Sequence, residues 1–386
     1  MKITARTLSG EVCHAQVEGH VFKKVTMQRE DLLDLPWIAP SLIDIQINGF
    51  AGVDFNRPLE SDDAWHHATK QLYAHGCTGF LATLITNVEE SYRRLLTDLT
   101  GRINLDPRNC LGFHMEGPWL NPDPGYRGAH RAEWMRKPDL RLLDEWLGIA
   151  GPLLKLITLA PETDPEASAR VIRAGVEKKI LFFLGHSGAM GDTLRAATKA
   201  GAVGWTHLGI AVPATVPKFE NVILHALAQP GLLASLIPDG LHLPPHAFRV
   251  LARALEKTRP PRLLLTTDAM AAAASDGQGR YTLGDVQVEV GADGSARLPA
   301  TAGVPGLGRL AGSTLTPFRG VFLAERMGGI FLEDAWAAFS TRPAALLGLK
   351  HGLVEGNSAD FCLLSPEKAP YLLATYHRGK CVYEAP

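Results

Sequence analysis

Residues 110–119 read Cys110-Leu111-Gly112-Phe113-His114-Met115-Glu116-Gly117-Pro118-Trp119. The mostly apolar residues before Glu116 predict a short buried strand. Gly117-Pro118 predicts the end of that strand, because proline lacks the amide hydrogen that a strand ladder needs. We therefore expect the carboxylate of Glu116 at the mouth of a strand rather than on a solvated helix.

The same pattern, an apolar run that ends on a polar side chain, recurs three times downstream. His186 follows residues 181–185, His207 follows residues 203–206, and Asp268 follows residues 263–267. In a (β/α)8 barrel the C-terminal strand ends meet on one face, and catalytic groups come from several strands. We interpret Glu116 and these three residues as one constellation, the candidate active site.

Eight short apolar segments alternate with amphipathic helical segments between residues 41 and 267. This alternation predicts the α/β class and a (β/α)8, or TIM-like, barrel. A doubly wound open sheet is the alternative, but no glycine-rich phosphate fingerprint follows the first strand. The predicted strands are Ser41–Gln46, Thr78–Leu84, Cys110–Met115, Leu154–Ala160, Ile180–Gly185, Val203–Thr206, Leu233–Pro238 and Arg262–Thr267. The predicted helices include Asp62–His75, Val88–Arg102, Asp139–Ile149, Pro165–Lys178, Met190–Ala200 and Pro244–Thr258.

The two ends of the chain carry a different pattern from the barrel segment. Residues 1–40 and 346–386 contain short β-like pieces, and each end is too small to fold alone. We therefore predict a small β-sandwich-like domain built from both termini, with residues 41–345 forming the barrel. Within the barrel, residues 275–309 are rich in glycine and include an alternating stretch at 286–290, which predicts an insertion over the barrel mouth.

The composition is that of an ordinary soluble enzyme. Of 386 residues, 46% are hydrophobic and 20% are charged, and the formal net charge is −1. The sequence has no stripe of basic residues that would indicate nucleic acid as a partner. It also has no segment long and apolar enough to span a membrane. The first residues lack the apolar core of a secretory signal, and five scattered cysteines fit a reducing compartment. We expect a cytoplasmic protein that acts on a small molecule.

The constellation suits metal-assisted hydrolysis. One carboxylate and two imidazoles, here Glu116, His186 and His207, are a common ligand set for a catalytic zinc-type ion with an open position for water. Asp268 can then take the proton of that water and deliver it to a leaving amine, as amide hydrolysis requires. Taken singly, each residue has a structural alternative. Either histidine could be a core or capping residue, and Asp268 could cap a helix. Glu116 could be a structural carboxylate that accepts hydrogen bonds from the backbone amides of its own turn. Their joint position at barrel strand ends favours the catalytic interpretation.

Several motifs, in the same order along the chain, resemble those of the N-acetylglucosamine-6-phosphate deacetylases in the amidohydrolase superfamily. The matching segments are His114–Asn121, Gly185–Ala189, Thr206–Leu208, Asp239–His242, Thr267–Ala269, Pro40–Gly49, Leu310–Leu315 and Thr341–Ala344. This resemblance implies a barrel with a small β domain, assembled as a homodimer. It implies metal ligands at Glu116, His186 and His207, and a catalytic base at Asp268.

The resemblance also implies a set of substrate contacts. His242 corresponds to the histidine that orients the acetyl carbonyl or a sugar hydroxyl, and His130 to a loop histidine near the phosphate. The complete set of expected contacts is Ala129, His130, Ile210, Ala211, Lys218, His242, Leu310, Ala311, Gly312 and Ser313.

Gln46 and Asn48 stand where many amidohydrolases carry the His-x-His pair that binds a second metal. Neutral amides are poor ligands for a transition metal. We therefore predict one divalent ion per subunit. Zn²⁺ is the first choice, and Fe²⁺, Co²⁺ and Mn²⁺ also fit this ligand set.

Two positions depart from the family pattern at the phosphate end. Ile210 replaces an asparagine that could bind phosphate, and Lys218 replaces an arginine. The lysine ammonium is a point charge, whereas the arginine guanidinium can donate two parallel hydrogen bonds to a phosphate. Lys218 is therefore a weaker replacement, and Lys218, Arg127 and Arg131 are all candidate cations for the phosphate. The predicted reaction is deacetylation of N-acetylglucosamine 6-phosphate. The alternatives are another N-acetyl amino sugar (the galacto epimer or an unphosphorylated sugar), a different N-acyl amine, or a barrel that binds sugar without catalysis.

Overall fold

The computed structural model describes residues 1–30, 32, 34–275, 277–299 and 308–386. The strands are β1 (Lys2–Thr7), β2 (Val12–Glu18), β3 (Val21–Gln28), β4 (Trp37–Pro40), β5 (Leu42–Ile47), β6 (Gly49–Phe50), β7 (Val53–Asp54), β8 (Cys77–Ile85), β9 (Cys110–Glu116), β10 (Leu154–Leu159), β11 (Leu181–Leu184), β12 (Gly204–Trp205), β13 (Leu233–Leu236), β14 (Leu263–Leu265), β15 (Gly279–Leu283), β16 (Val286–Val290), β17 (Ala296–Arg297), β18 (Phe361–Leu364), β19 (Leu372–His377) and β20 (Lys380–Glu384). The α-helices are α1 (Asp62–Ala74), α2 (Glu89–Leu105), α3 (Leu140–Ala150), α4 (Pro165–Glu177), α5 (Gly191–Ala200), α6 (Val222–Ala228), α7 (Pro245–Glu256), α8 (Pro317–Gly328), α9 (Leu332–Ala338) and α10 (Thr341–Leu346).

The central sheet is parallel and its strands follow chain order: β5, β8, β9, β10, β11, β12, β13 and β14. Its two edge strands meet just beyond their ends, where Ile47 pairs with Ala269 and the Asn48 amide donates to the Ala269 carbonyl at 2.7 Å. Sequential order and closure are the features of a (β/α)8 barrel, so the predicted fold is confirmed. Each of the eight predicted strands is present, and the six predicted helices appear as α1–α5 and α7.

A buried carboxylate strengthens the closure between β5 and the residues that follow β14. Asp44 Oδ2 accepts hydrogen bonds from the Thr267 amide at 3.0 Å and the Thr267 hydroxyl at 2.6 Å. Its Oδ1 accepts the Thr266 hydroxyl and the Gln46 amide, the latter at 3.1 Å. Burial raises the pKa of Asp44 from its usual 3.8 to about 6, even though these hydrogen bonds oppose the shift.

We expect Asp44→Asn to lower the free energy of unfolding by about 2–3 kcal/mol, because the new amide group must face donors and leaves a buried N–H unpaired. Urea denaturation measures the change, with the exposed Asp144→Asn on α3 as control. Since the folded-state pKa lies above the usual value, the stability contributed by Asp44 is complete below about pH 4 and declines through pH 6. The decrease in the free energy of unfolding caused by Asp44→Asn should therefore be smaller at pH 7 than at pH 4. A decrease below about 0.5 kcal/mol at both pH values would contradict this role of Asp44.

The termini form a second sheet, ordered β20, β19, β18, β4, β1, β2 and β3. Strand β4 joins the two ends of the chain, because it pairs in parallel with β1 and antiparallel with β18. Buried side chains such as Phe22, Ile38 and Phe361 pack on this sheet as a small separate cluster. A β domain built from both termini is thus confirmed, with these strands in one hydrogen-bonded sheet. The boundaries after residues 40 and 345 stay predictions.

The segment after β14 extends across the mouth of the barrel. Strands β15 and β16 form an antiparallel hairpin, and Leu283 and Val286 at its turn line the central cavity. This hairpin packs on Met270 and Ala311. Of the predicted insertion at 275–309, residues 276 and 300–307 lie outside the described residues. No helix in the described part of the chain is long and apolar enough to cross a bilayer.

Side chains in two levels fill the barrel beneath its C-terminal face. The lower level is apolar and comprises Ile45, Leu81, Leu156, Phe183 and Leu264. Two residues further along β10, the Thr158 hydroxyl lies 2.8 Å from His114 Nε2 and 2.6 Å from the Thr206 hydroxyl. Burial lowers the pKa of His114 to about 4, so this histidine is neutral. These two levels lie beneath the strand ends that carry the candidate site.

Candidate active site

The barrel brings the four residues of the predicted constellation together. His186 Nε2 lies 3.2 Å and His207 Nε2 2.9 Å from the same oxygen, Glu116 Oε1. Asp268 is linked to them through Gln46, whose Nε2 donates to Glu116 Oε1 and to Asp268 Oδ1 at 3.1 Å each. All four side chains are at least 90% buried. Two imidazoles and two carboxylates therefore share one pocket at the C-terminal strand ends.

Three of the four residues have a left-handed backbone. The φ angles are 50° at His186, 33° at His207 and 51° at Asp268, a region that non-glycine residues rarely adopt and that is concentrated at functional sites. These residues lie two or three positions beyond the ends of β11, β12 and β14. Hydrogen bonds hold the turns: the His207 amide donates to Ser235 Oγ at 2.8 Å, and the Asp268 carbonyl accepts from the Ser313 amide at 2.8 Å.

The carboxylate of Glu116 is held in its charged form. Burial by itself would raise the pKa of Glu116, but the imidazoles of His186 and His207 beside its Oε1 and the nearby His130 outweigh burial and hold the pKa well below its usual value. A buried anion of this kind needs positive charge beside it. The centre of the site therefore favours the binding of a cation beside Glu116.

The tautomer of His186 indicates how a metal ion would fit. His186 Nδ1 lies 2.9 Å from the Tyr126 carbonyl, which can only accept a hydrogen bond, so Nδ1 carries the hydrogen. In the neutral ring Nε2 then presents a lone pair toward Glu116 Oε1, 3.2 Å away. Two electron-rich atoms at this distance require a proton or a cation between them. A backbone acceptor behind the ring is also the usual support of a metal-binding histidine. The donor set fits a divalent metal.

His130 lies closer to this centre than the sequence indicated. Its Nε2 is 3.8 Å from Glu116 Oε2, and its ring packs edge-on against His186 with 4.4 Å between the ring centroids. Burial lowers the pKa of His130 to about 3, and its Nδ1 has no hydrogen-bond partner among the described residues. Glu116, His130 and His186 form a group compact enough to hold a metal ion. The structure thus places His130 beside Glu116 and His186, whereas the resemblance implied a position near the phosphate.

The carboxyl group of Asp268 is surrounded by amide donors. Asn48 Nδ2 donates to Asp268 Oδ1 at 2.6 Å, in addition to the bond from Gln46. Burial first and the charge of Glu116 second raise the pKa of Asp268 to about 8, against the opposing effects of His207 and Asn48. Sequence reasoning identified Gln46 and Asn48 only as absent metal ligands. Their role as donors to Asp268 depends on side-chain directions that the sequence does not contain.

His242 is oriented by a neighbouring carboxylate. Its Nδ1 lies 2.6 Å from Asp239 Oδ2, and Asp239 Oδ1 accepts the backbone amides of Leu241 and His242. Burial would raise the pKa of Asp239, but these hydrogen bonds and the charge of His242 lower it below the usual value. Among the described residues, His242 Nε2 makes no hydrogen bond, and the ring lines the cavity.

A cavity of about 690 Å³ opens above these groups. The expected substrate contacts that line it are Ala129, His130, Ile210, Ala211, His242, Leu310, Ala311 and Gly312. Ser313 is not in the described lining, because its hydroxyl donates to the Thr267 carbonyl at 2.6 Å behind Asp268. Lys218 is exposed and also outside the lining, with its ammonium 5.2 Å from the ring centroid of Phe219. Sequence reasoning missed Arg309, which does line the cavity immediately before the matching Leu310–Gly312 segment.

Comparison with known proteins gives a consistent result. Residues 37–382 match the family described as the amidohydrolase family. The chain is 34% identical to N-acetylglucosamine-6-phosphate deacetylase of Rattus norvegicus over 361 residues, which cover 90% of this chain and 84% of that protein. The resemblance inferred from the sequence motifs is confirmed.

Two solved structures share the whole architecture. One is a variant of N-acetyl-D-glucosamine-6-phosphate deacetylase from Mycobacterium smegmatis in complex with N-acetyl-D-glucosamine-6-phosphate, with a TM-score of 0.84 and 28% identity over 96% of this chain and 94% of that one. The other is N-acetylglucosamine-6-phosphate deacetylase from Thermotoga maritima, with a TM-score of 0.86 and 25% identity over the full length of both chains.

Proposed function

Because the chain belongs to the amidohydrolase family, we propose that it hydrolyses the acetamide of N-acetylglucosamine 6-phosphate to glucosamine 6-phosphate and acetate. The observation that carries the reaction class is the convergence of His186 and His207 on one oxygen of Glu116, with Asp268 one amide away. The substrate is supported by the 34% identity to the rat deacetylase over 90% of this chain.

Glu116, His186 and His207 would hold the metal ion. When bound, a divalent ion polarises the acetyl carbonyl and lowers the pKa of water at the open position. We propose Zn²⁺, and Fe²⁺, Co²⁺ and Mn²⁺ would suit the same donors. One ion per subunit is supported by Gln46 and Asn48, because their amide groups already donate to Glu116 and Asp268 and so turn their nitrogens toward the centre.

Asp268 would act as the catalytic base and then as the acid. The pKa of Asp268 would fall beside a bound divalent cation, and the Asp268 carboxylate then takes a proton from the attacking water while the water oxygen bonds to the acetyl carbon. The C–N bond then breaks, and the same proton passes from Asp268 to the amine nitrogen, which leaves glucosamine 6-phosphate and acetate. Gln46 and Asn48 orient the carboxyl group for both transfers.

The remaining contacts would position the sugar. His242, held by Asp239, is placed to bind the acetyl group or a sugar hydroxyl. Ile210, Ala211 and Leu310–Gly312 line the cavity and would offer backbone groups and apolar surface to the ring. We retain Ala129, His130, Lys218 and Ser313 as proposed contacts from the family resemblance. A homodimer in the cytoplasm also remains a proposal, supported by that resemblance and by five unpaired cysteines.

A deacetylation panel tests the substrate. We expect kcat/KM for N-acetylglucosamine 6-phosphate to exceed that for N-acetylgalactosamine 6-phosphate and for unphosphorylated N-acetylglucosamine by at least about tenfold, since a site discriminates through groups that pair with substrate hydroxyls and charges. Release of free amine measures the reaction, and elemental analysis of the same preparation should find one metal ion per chain. Equal or higher kcat/KM for the galacto epimer or the unphosphorylated sugar would contradict the proposal.

A further inference from the structure

Strand β10 lies between β9 and β11 in the barrel sheet and contributes none of the four residues of the constellation. The short turn that follows it, Pro161–Thr163, carries the carboxylate of Glu162 at the same C-terminal end of the barrel. Glu162 is not in the described lining of the cavity, so it takes no part in the proposed proton transfers. Its hydrogen bonds lead instead to the loops around the metal-site histidine His186.

The Glu162 carboxylate accepts hydrogen bonds from the turn that follows His186. Ser187 Oγ donates to Glu162 Oε2 at 2.7 Å, and the Gly188 amide donates to Glu162 Oε1 at 2.6 Å. Ser187 is 2% exposed, and its hydroxyl oxygen also accepts the Ala189 amide at 3.1 Å. One carboxylate thereby fixes the three residues after His186, two of them directly and the third through Ser187.

The same carboxylate holds a second loop that contacts His186. Asn121 Nδ2 donates to Glu162 Oε1 at 2.8 Å, and the Asn121 amide donates to the His186 carbonyl at 3.1 Å. Asn121 Oδ1 accepts the Asp123 amide at 2.9 Å, and the Asp123 carbonyl accepts the Tyr126 amide at 2.9 Å. The Tyr126 carbonyl is the acceptor for His186 Nδ1. Glu162 is therefore linked both to the backbone of His186 and to the acceptor behind its ring.

These contacts matter because the backbone of His186 has an unfavourable conformation. A φ of 50° at a residue with a β-carbon persists only where the surrounding structure enforces it. Glu162 accepts three hydrogen bonds from the residues around His186, and hydrogen bonds to a carboxylate are stronger than those between neutral groups. Without them, the direction of the imidazole toward Glu116 Oε1 would be less well fixed.

Resting on the proposed function and its metal site, we propose that Glu162 is a positioning residue that fixes the metal ligand His186. It acts through other residues, because it holds the turn after His186 and the loop from Asn121 to Tyr126 in place. Removal of a group that orients a metal ligand typically lowers the metal affinity by about 10- to 100-fold. Strand β10 would thus support the metal site without supplying a ligand.

The affinity for Zn²⁺ tests this role independently of activity. Glu162→Ala removes all three hydrogen bonds, and we expect it to weaken Zn²⁺ binding by about 10- to 100-fold. Transfer of the ion from the loaded protein to a chromophoric chelator measures the affinity. Glu162→Gln should stay within about threefold of wild type, because its amide oxygen can accept from Gly188 and Asn121 while its NH2 group donates to the Ser187 hydroxyl.

Two further variants complete the experiment. Glu166→Ala is the matched control, since it removes an exposed carboxylate from the first turn of α4, four positions after Glu162, and should leave the Zn²⁺ affinity unchanged. Ser187→Ala removes only one of the three donors and should weaken Zn²⁺ binding by about three- to tenfold. This smaller change keeps the test decisive if Glu162→Ala does not fold.

Failure of the proposed function is distinguishable from failure of this role. Wild-type protein that binds no Zn²⁺ would overturn the metal site and the role of Glu162 with it. Tight Zn²⁺ binding by wild type without deacetylation of N-acetylglucosamine 6-phosphate would overturn the proposed substrate alone.

Three results would overturn the role of Glu162 while leaving the proposed function intact. The first is wild-type Zn²⁺ affinity in folded Glu162→Ala, even with a lower thermal unfolding midpoint, because a residue that only stabilises the fold would behave in this way. The second is wild-type affinity in Ser187→Ala. The third is a loss in Glu162→Gln as large as that in Glu162→Ala, since the glutamine retains the hydrogen bonds.

Discussion

Asp268→Asn is expected to keep its metal and to lose about three orders of magnitude in kcat on the deacetylation substrate. An amide cannot take the proton of the attacking water, and removal of a general acid–base typically costs 10²- to 10⁴-fold. The substitution preserves the size of a side chain that is surrounded by Gln46 and Asn48. Metal content by elemental analysis and the thermal unfolding midpoint should both stay near the wild-type values.

The exposed Asp144→Asn on α3 removes the same charge away from the site and should leave kcat unchanged. A turnover within threefold of wild type in metal-loaded Asp268→Asn would contradict the proposed base. Loss of the metal in this variant would instead place Asp268 among the ligands.

Glu116→Gln is expected to lose the metal as well as the activity. Glu116 supplies the carboxylate oxygen on which His186 and His207 converge, and a neutral amide oxygen is a poor ligand for a transition metal. We expect metal affinity to fall by more than about 100-fold, beyond the effect of removing a supporting hydrogen bond. Elemental analysis after dialysis against a weak chelator measures the occupancy independently of activity.

Two histidine variants provide the matched comparison for this prediction. His207 shares Glu116 Oε1 with His186, whereas His130 faces the other oxygen at 3.8 Å. His207→Asn should therefore lose the metal as Glu116→Gln does, while His130→Asn should retain it and raise KM. Full metal occupancy in His207→Asn together with an empty site in His130→Asn would show that Glu116, His130 and His186 are the ligands.

Much of the fold was predictable because its signals are local. Apolar runs that end on Glu116, His186, His207 and Asp268 identify strand ends from a few neighbouring residues, and proline and capping residues identify helix starts. Parallel strands joined by helices permit few arrangements, so the barrel follows from the alternation. The exact strand ends did not follow, since β11, β12 and β14 are shorter than predicted at both ends and the extent of a ladder depends on the neighbouring strands.

The cationic residue in the described cavity lining was not predictable from the same signals. Lys218 was aligned with a family arginine, yet its side chain lies outside the described lining. Arg309 has no motif of its own, and its place in the cavity arises from contacts with Leu298 and Gly128, the latter 181 positions earlier in the chain. Contacts of such long range depend on the path of whole loops rather than on local preference.

The sequence by itself determined the barrel, the paired terminal β segments, and the residue types available at the four strand ends. These follow from backbone periodicity and from the chemistry of each side chain, which neighbouring residues specify. Only the tertiary structure decided which atoms face one another: two imidazoles on one oxygen of Glu116, His130 beside them, two amides on Asp268, and Arg309 on the cavity wall. The reason is physical, since the direction of a side chain is set by the packing of strands and loops that are distant in the chain.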